Sequence, residues 1–148
     1  MQDDLLKMEV AVGSDFPKKA IPLIESARES IKIIVFDWRW YPNDIGSVCQ
    51  RFNQAIITAQ QKNVKVQVLT NGSSVINLLN NNKIQAKKTH SKKLLHTKLM
   101  LIDDKVVVVG SHNYTQSAFT KNQELSVILS GKGCLDRFVK YFEILWQS

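Results

Sequence analysis

His96 and Lys98 stand two residues apart at the head of an apolar run, HTKLMLI, and Asp103 follows the lysine by five positions. A second apolar run, KVVVV, ends in Gly110, Ser111 and, after one intervening residue, Asn113. An imidazole, with an ordinary pKa of about 6.5, serves near neutrality as nucleophile, base or acid, and a neighbouring ammonium offers charge to an anion. Side chains two apart on a β-strand share a face at about 6–7 Å, a separation that brackets one phosphate. A phosphate bound there calls for charged and amide donors around its oxygens. Histidine, lysine and asparagine are residue types that meet those needs.

Alternation sends Thr97, Leu99 and Leu101 to the face opposite His96, while Met100 and Ile102 continue the His96 face. Both faces read as buried, with the polar pair at an edge of the core. The elements expected around this strand begin with strand 9–12, closed by Gly13, and a helix from Ser14-Asp15-Phe16-Pro17 to about Ser30. Ile31 to Trp38 reads as a central strand, Tyr41 to Asp44 as turn and cap, and the next helix runs to about Lys62. Val64 to Thr70 alternates as a strand, Ser73 or Ser74 caps a short helix through Leu79, and Ile84 to Thr89 is a weaker strand. Leu95–Ile102 and Lys105–Val109 form strands joined by Asp103-Asp104 as a two-residue hairpin, and Glu124–Ser130 supplies another. In the final segment, 132–147, Leu135, Phe138, Val139, Phe142, Leu145 and Trp146 recur at helical spacing and read as core. The fold class expected is α/β, a mixed β-sheet sandwiched between helices, as a single domain over 1–148.

The 148 residues are 44% hydrophobic and carry a formal charge of +7, which favours polyanionic partners such as nucleic acid or an acidic membrane surface. From Lys83 to Lys98 there are six lysines and two histidines with no acid, and Lys87, Lys88, Lys92 and Lys93 are the candidates for nucleic-acid binding. The alternative for that run is a solvated edge strand. His90 reads as a loop residue in the same run. Cys49 and Cys134 lack the paired spacing of a zinc site or disulfide framework and read as buried reduced thiols in helices. Trp38, Trp40 and Tyr41 read as core or interface, with base stacking as the alternative. No basic n-region, apolar h-region or run of 18 apolar residues is visible, so a cytoplasmic, soluble protein is expected and a membrane partner is not.

His96-x-Lys98, four residues, Asp103, six residues, Gly110-Ser111-x-Asn113 resembles the signature of the phospholipase D superfamily at all six specified positions, and Glu124 falls where that family places a downstream acid. The likeness extends over most of the chain. Two departures are Asn71, where many relatives have aspartate, and Gln123-Glu124-Leu125, which replaces the commoner acid-flanked asparagines. A short chain with one motif resembles the small bacterial endonuclease branch, which implies two identical subunits sharing one active site.

One histidine does not conveniently attack phosphorus and protonate the leaving oxygen at once, so a twofold axis through the site would supply the second. His96 of one subunit is expected to form a phosphohistidine and His96 of the other to act as general acid. Lys98 and Asn113 would hold the phosphoryl oxygens, Ser111 would add a hydrogen bond, and Glu124 would orient a histidine, its own or the partner's. Asp103, off the His96 face by alternation, is expected to give structural support. His112 fills the motif's variable position. No metal and no cofactor are implied, because the carboxylates do not cluster.

The expected activity is a metal-independent phosphodiesterase, foremost a homodimeric nuclease on DNA or RNA. A phospholipid hydrolase of the phospholipase D or cardiolipin type is the alternative, opposed by the lack of a recognisable amphipathic helix with an exposed apolar face. The catalytic domain of a larger restriction or repair nuclease and a catalytically idle nucleic-acid-binding dimer are the others.

Overall fold

The computed structural model describes residues 5–131 and 135–148. Along the chain run β1 (Lys7–Val12), α1 (Asp15–Ser26), β2 (Ser30–Ile34), α2 (Val48–Gln61), β3 (Lys65–Leu69) and α3 (Ser73–Asn81). They are followed by β4 (Gln85–Lys87), β5 (Leu99–Ile102), β6 (Val106–Gly110), α4 (Gln116–Thr120), β7 (Leu125–Ser130) and α5 (Asp136–Gln147). The strands make one seven-stranded sheet in the order β1-β7-β6-β5-β2-β3-β4. β2, β3 and β4 are parallel, and the remaining neighbours are antiparallel.

The period-two pattern divides the core between the two faces. Ile31, Ile33, Val66, Val68, Met100 and Ile102 turn to one side, where Phe16 and Ile24 of α1, Phe52 and Ile56 of α2, Leu79 of α3 and Phe119 of α4 cover them. Ile34, Leu69, Leu99, Leu101 and Val107 turn to the other, beneath Phe142 of α5. The mixed sheet between helices is the expected architecture, with four helices on one face and one on the other. An ion triad fastens α5 to the sheet: the Lys32 ammonium lies 3.0 Å from both Asp104 and Glu143. Burial alone would lower the Lys32 pKa, but the two carboxylates outweigh it and raise it.

Several elements differ from expectation. The second strand stops at Ile34 instead of reaching Trp38, because the Phe36–Asp37 peptide is bonded to asparagine side chains and not to a neighbouring strand. Trp38 keeps only an isolated bridge to Tyr114. β5 begins at Leu99, opposite the last residue of β2, so His96 and Lys98 lie in an extended segment that precedes the ladder. The β5–β6 connection holds three residues, since Ile102 pairs with Val106. Asp103 and Asp104 are both left-handed, as a tight hairpin turn demands. α4 was not anticipated; Thr115 Oγ1 caps it by accepting the Ala118 N–H at 3.1 Å. Cys49 is buried in α2, and burial pushes its thiol up to about 12, which suits an unreactive core residue. Cys134 and the start of the expected 132–147 helix lie outside the described residues.

Asp103 turns back across the hairpin to the start of β2. Its carboxylate accepts the N–H groups of Arg28, Glu29 and Ser30 at 2.7–3.2 Å. Partial burial would raise its pKa, but those three donors and the Lys105 charge prevail and lower it. A depressed carboxylate contributes stability that is present above the unfolded pKa of about 3.9 and is lost as pH falls through the folded value. Asp103→Ala should therefore destabilise the fold by about 2–3 kcal/mol at pH 7, from lost charged hydrogen bonds and a non-glycine left-handed turn. Urea unfolding would measure it, and the gap should narrow as pH drops below about 4.

Candidate active site

The motif segments converge at one end of the sheet, where β2, β3 and β6 finish and β5 and β7 begin. Lys98 C=O accepts the Gly110 N–H at 3.4 Å, and Leu125 C=O accepts the Ser111 N–H at 3.0 Å. The His96–Lys98 segment, the Gly110–Asn113 loop and Glu124 thus sit on three adjacent strands about 4.8 Å apart. Gly110 is required by closeness: a Cβ there would overlap the Leu125 carbonyl oxygen and Ser126.

His96 is exposed, and its ring packs on Phe36 at 4.7 Å between centroids. Lys98 Nζ stands 3.1 Å from His96 Nδ1 and 5.7 Å over the Phe36 ring. An ammonium has only protons to give, so Nδ1 accepts and the neutral ring carries its proton on Nε2. In this geometry His96 is a donor through Nε2. For Nε2 to attack phosphorus the proton must sit on Nδ1, facing an acceptor in place of the ammonium.

Asn113 Oδ1 accepts the Asp37 N–H at 3.1 Å, which fixes the amide and leaves Nδ2 as its donating end. Ser111 Oγ donates to Glu124 Oε1 at 2.6 Å and accepts the Leu125 N–H at 2.9 Å. Glu124 Oε2 accepts from Asn122 at 3.0 Å. Glu124 is bonded to Ser111 and Asn122 and not to its own His96. Asp103 lies at the far end of the β5 strand, capping β2, away from this cluster.

The remaining sequence candidates separate clearly. His112 is buried, stacked on Phe16 at 4.3 Å. It donates through Nε2 to Gly13 C=O at 2.8 Å, so in the neutral ring Nδ1 accepts from Ser126 Oγ at 2.7 Å. Burial lowers its pKa against the opposing pull of Gly13 and Glu124. It fastens the motif loop to the β1–α1 turn, where Gly13 is left-handed at φ +51° and donates its N–H to Glu124 C=O at 2.9 Å. Trp38 is core: it is buried and donates Nε1–H to Asn53. Tyr41 OH accepts the Gln116 N–H, tying its loop to α4. Lys88, Lys92 and Lys93 are exposed, as is His90. Lys87 departs from expectation, for its ammonium bonds the Trp146 carbonyl and lies 4.3 Å over that indole. A helix C-terminus attracts a cation, and here it holds one of the four lysines assigned to nucleic acid.

A cavity of about 320 Å³ is lined by His96 together with Leu94, Leu95, Leu145 and Tyr141 and the polar Thr89, Ser91, Lys93 and Thr97. Exposed apolar surface is also present, contrary to the sequence expectation: Met8, Val10, Val12 and Leu125 share the α5 side of the sheet, and Tyr141 and Ile144 stand out from α5. Among the described residues, no three His, Cys, Asp or Glu groups are placed to hold a metal ion, and no helix is long and apolar enough to cross a membrane.

Phe36 and Asn71 belong to the site and were not read as such from sequence. Asn71 drew attention only as a departure from a family pattern, and Phe36 was read as part of a strand that the structure ends before it.

Residues 20–146 match the family model described as cardiolipin synthase, PLD-like domain. The chain is 30% identical over 143 residues to the mitochondrial cardiolipin hydrolase of Canis lupus familiaris, covering 92% of this chain and 52% of that protein. It spans about half the length of the curated relatives it matches. The fold is similar to that of Nuc from Salmonella typhimurium, a phospholipase D family member, with a TM-score of 0.82 at 19% identity over 97% of this chain and 95% of that one. It is also similar to NucT from Helicobacter pylori, with a TM-score of 0.76 at 24% identity over 97% and 98% of the two chains. With the motif gathered at one sheet end and a family model spanning nearly its whole length, this chain belongs to the phospholipase D-like family.

Proposed function

We propose that the protein is a metal-independent phosphodiesterase, a homodimeric nuclease that cleaves DNA or RNA at a site shared by two copies of the chain. The observation that carries the reading is the exposed His96 with Lys98 on its Nδ1, beside an Asn113 amide whose Nδ2 is the donating end. One subunit's His96, protonated on both ring nitrogens and so released from Lys98 at Nδ1, donates its Nε2 proton to the leaving oxygen and becomes the neutral ring. Nε2 of the other attacks phosphorus, forming the P–N bond as the P–O bond breaks. Water then attacks the phosphohistidine, giving its proton to the partner imidazole, and the P–N bond breaks to restore the free ring. Lys98 and Asn113 of both copies hold the non-bridging oxygens. Since Glu124 is bonded to Ser111 and Asn122 within its own chain, its role as acceptor for Nδ1 is assigned to the partner's ring. The exposed apolar face formed by Met8, Val10, Val12 and Leu125, which adjoins Glu124, supports a second copy as its cover.

The charge of +7 and the exposed Lys88, Lys92 and Lys93 favour a polyanionic strand tracked through its phosphates. Reversing these three to glutamate should flatten the slope of log binding against log salt by about 2, read by fluorescence anisotropy on a labelled oligonucleotide. An unchanged slope would remove them from the interface. A second reading, phospholipid hydrolysis, has its own support in the printed name of the cardiolipin hydrolase relative and in the leucine-lined cavity beside His96.

The deciding experiment incubates the protein in EDTA with single-stranded DNA, duplex DNA, RNA and cardiolipin vesicles, with His96→Ala as control. Nucleic-acid cleavage that persists in EDTA is expected. Cleavage of lipid alone would replace the nuclease reading with the second, and loss of activity in EDTA would overturn the metal-independent mechanism. Light scattering should report a dimer; a fully active monomer would overturn the shared site.

A further inference from the structure

We propose that Asn71 is a positioning residue for the nucleophile, tying the backbone ahead of His96 to the peptide group that orients Asn113. The proposal rests on His96 acting as the attacking group. Asn71 Nδ2 donates both of its protons, one to Phe36 C=O at 2.9 Å and one to Leu95 C=O at 3.0 Å. Leu95 immediately precedes His96. The Phe36 carbonyl belongs to the same peptide group as the Asp37 N–H, which donates to Asn113 Oδ1 at 3.1 Å. A peptide group is planar and rigid, so whatever holds its carbonyl also aims its N–H. One relay therefore runs from Leu95 through Asn71 and the Phe36–Asp37 peptide to the amide of Asn113.

Strand pairing does not supply this alignment. The β2 ladder ends at Ile34 and the β5 ladder starts at Leu99, so Phe36 and His96 both lie beyond the regular hydrogen bonding that would fix their separation. Phe36 is also the surface against which the His96 ring rests and over which Lys98 extends. Moving the 36–37 peptide would thus shift the support of the imidazole, the neighbouring ammonium and the Asn113 amide together.

The residue type matters. A side-chain amide offers two N–H groups on one nitrogen, enough for two carbonyls. An ionised aspartate gives none and would set negative oxygens against both carbonyls. Serine gives one. The asparagine that departs from the family's commoner aspartate is the residue this pair of acceptors requires.

The test compares wild type, Asn71→Asp, Asn71→Ser and His96→Ala on bis(4-nitrophenyl) phosphate, together with ring ¹H–¹⁵N NMR spectra of the histidines. Asn71→Asp should lower kcat by about 30–100-fold with KM within about threefold, because an ångström of misalignment at the reacting atom costs rates of that order. Asn71→Ser should lose less. In both, the His96 ring signals should move while those of His112, buried in the core, stay in place. A kcat within twofold of wild type in both variants would overturn the proposal, as would His112 signals moving in both, which would mark a general structural role. Should His96→Ala keep its turnover, the nucleophile assignment falls by itself. The positioning claim is then decided by the His96 signals in Asn71→Asp: moved signals support it and unmoved signals overturn it.

Discussion

His96→Ala is expected to lower phosphodiester cleavage by about 10⁴-fold or more, since removal of a nucleophile leaves only binding and charge stabilisation. The more telling result comes from mixing. When equal amounts of wild type and His96→Ala are unfolded together and refolded, random pairing makes about one quarter of the dimers wild type on both sides. A site that needs one imidazole to attack and another to protonate works only in those dimers. Activity should fall to about one quarter of an all-wild-type sample at the same total concentration. Self-sufficient chains would retain about one half. Lys98→Ala mixed with His96→Ala sharpens the comparison, because the shared site of a mixed dimer then holds one histidine and one lysine, each from a different subunit. Recovery of wild-type rates in such mixtures would overturn the paired-histidine site, since every mixed dimer holds a single His96.

The order of elements and the division of the core were legible because periodicity reports which face a side chain must bury. Met100 and Ile102 lie under the four-helix side and Leu99 and Leu101 under α5, as alternation demands. The strand limits were less legible. Apart from Lys32 and Asp37 the stretch IKIIVFDW is apolar, and no residue in it marks Ile34 as the last to pair. Beyond that end two asparagines distant in sequence, Asn71 and Asn113, hold the Phe36–Asp37 peptide. Asn71 also holds the Leu95 carbonyl just ahead of His96, which lies before the first paired residue of β5.

For the site, spacing identified the residues but not their partners. Nothing in Gln123-Glu124-Leu125 indicates that Glu124 bonds Ser111 and Asn122, leaving its own His96 without that carboxylate. Nor does a run of lysines distinguish Lys87, held at the end of α5, from Lys88 beside it. Charge counts add residues together, whereas a helix terminus selects one of them by position. The exposed apolar face was also hidden, because a short strand over 9–12 does not tell that Met8, Val10 and Val12 stay uncovered on the α5 side of the sheet.

The second large expected effect is on pH. The proposed reaction requires one imidazole free of its proton at Nε2 and the other protonated there, so the rate depends on two protonation steps of opposite sense. Below the optimum the attacking ring is protonated, and above it the donor is lost. Each limb of log kcat/KM should fall about tenfold per pH unit, a bell whose rate two units outside either limb is down by about 100-fold. The adduct should follow the same logic. Acid destroys phosphohistidine and base preserves it, so an alkaline denaturing quench during turnover should capture labelled substrate on His96. The label should be absent from His96→Ala and should disappear on brief acid treatment. A rate flat from pH 5 to 9, or a label that survives acid and maps to Ser111, would replace the paired histidines with a different nucleophile.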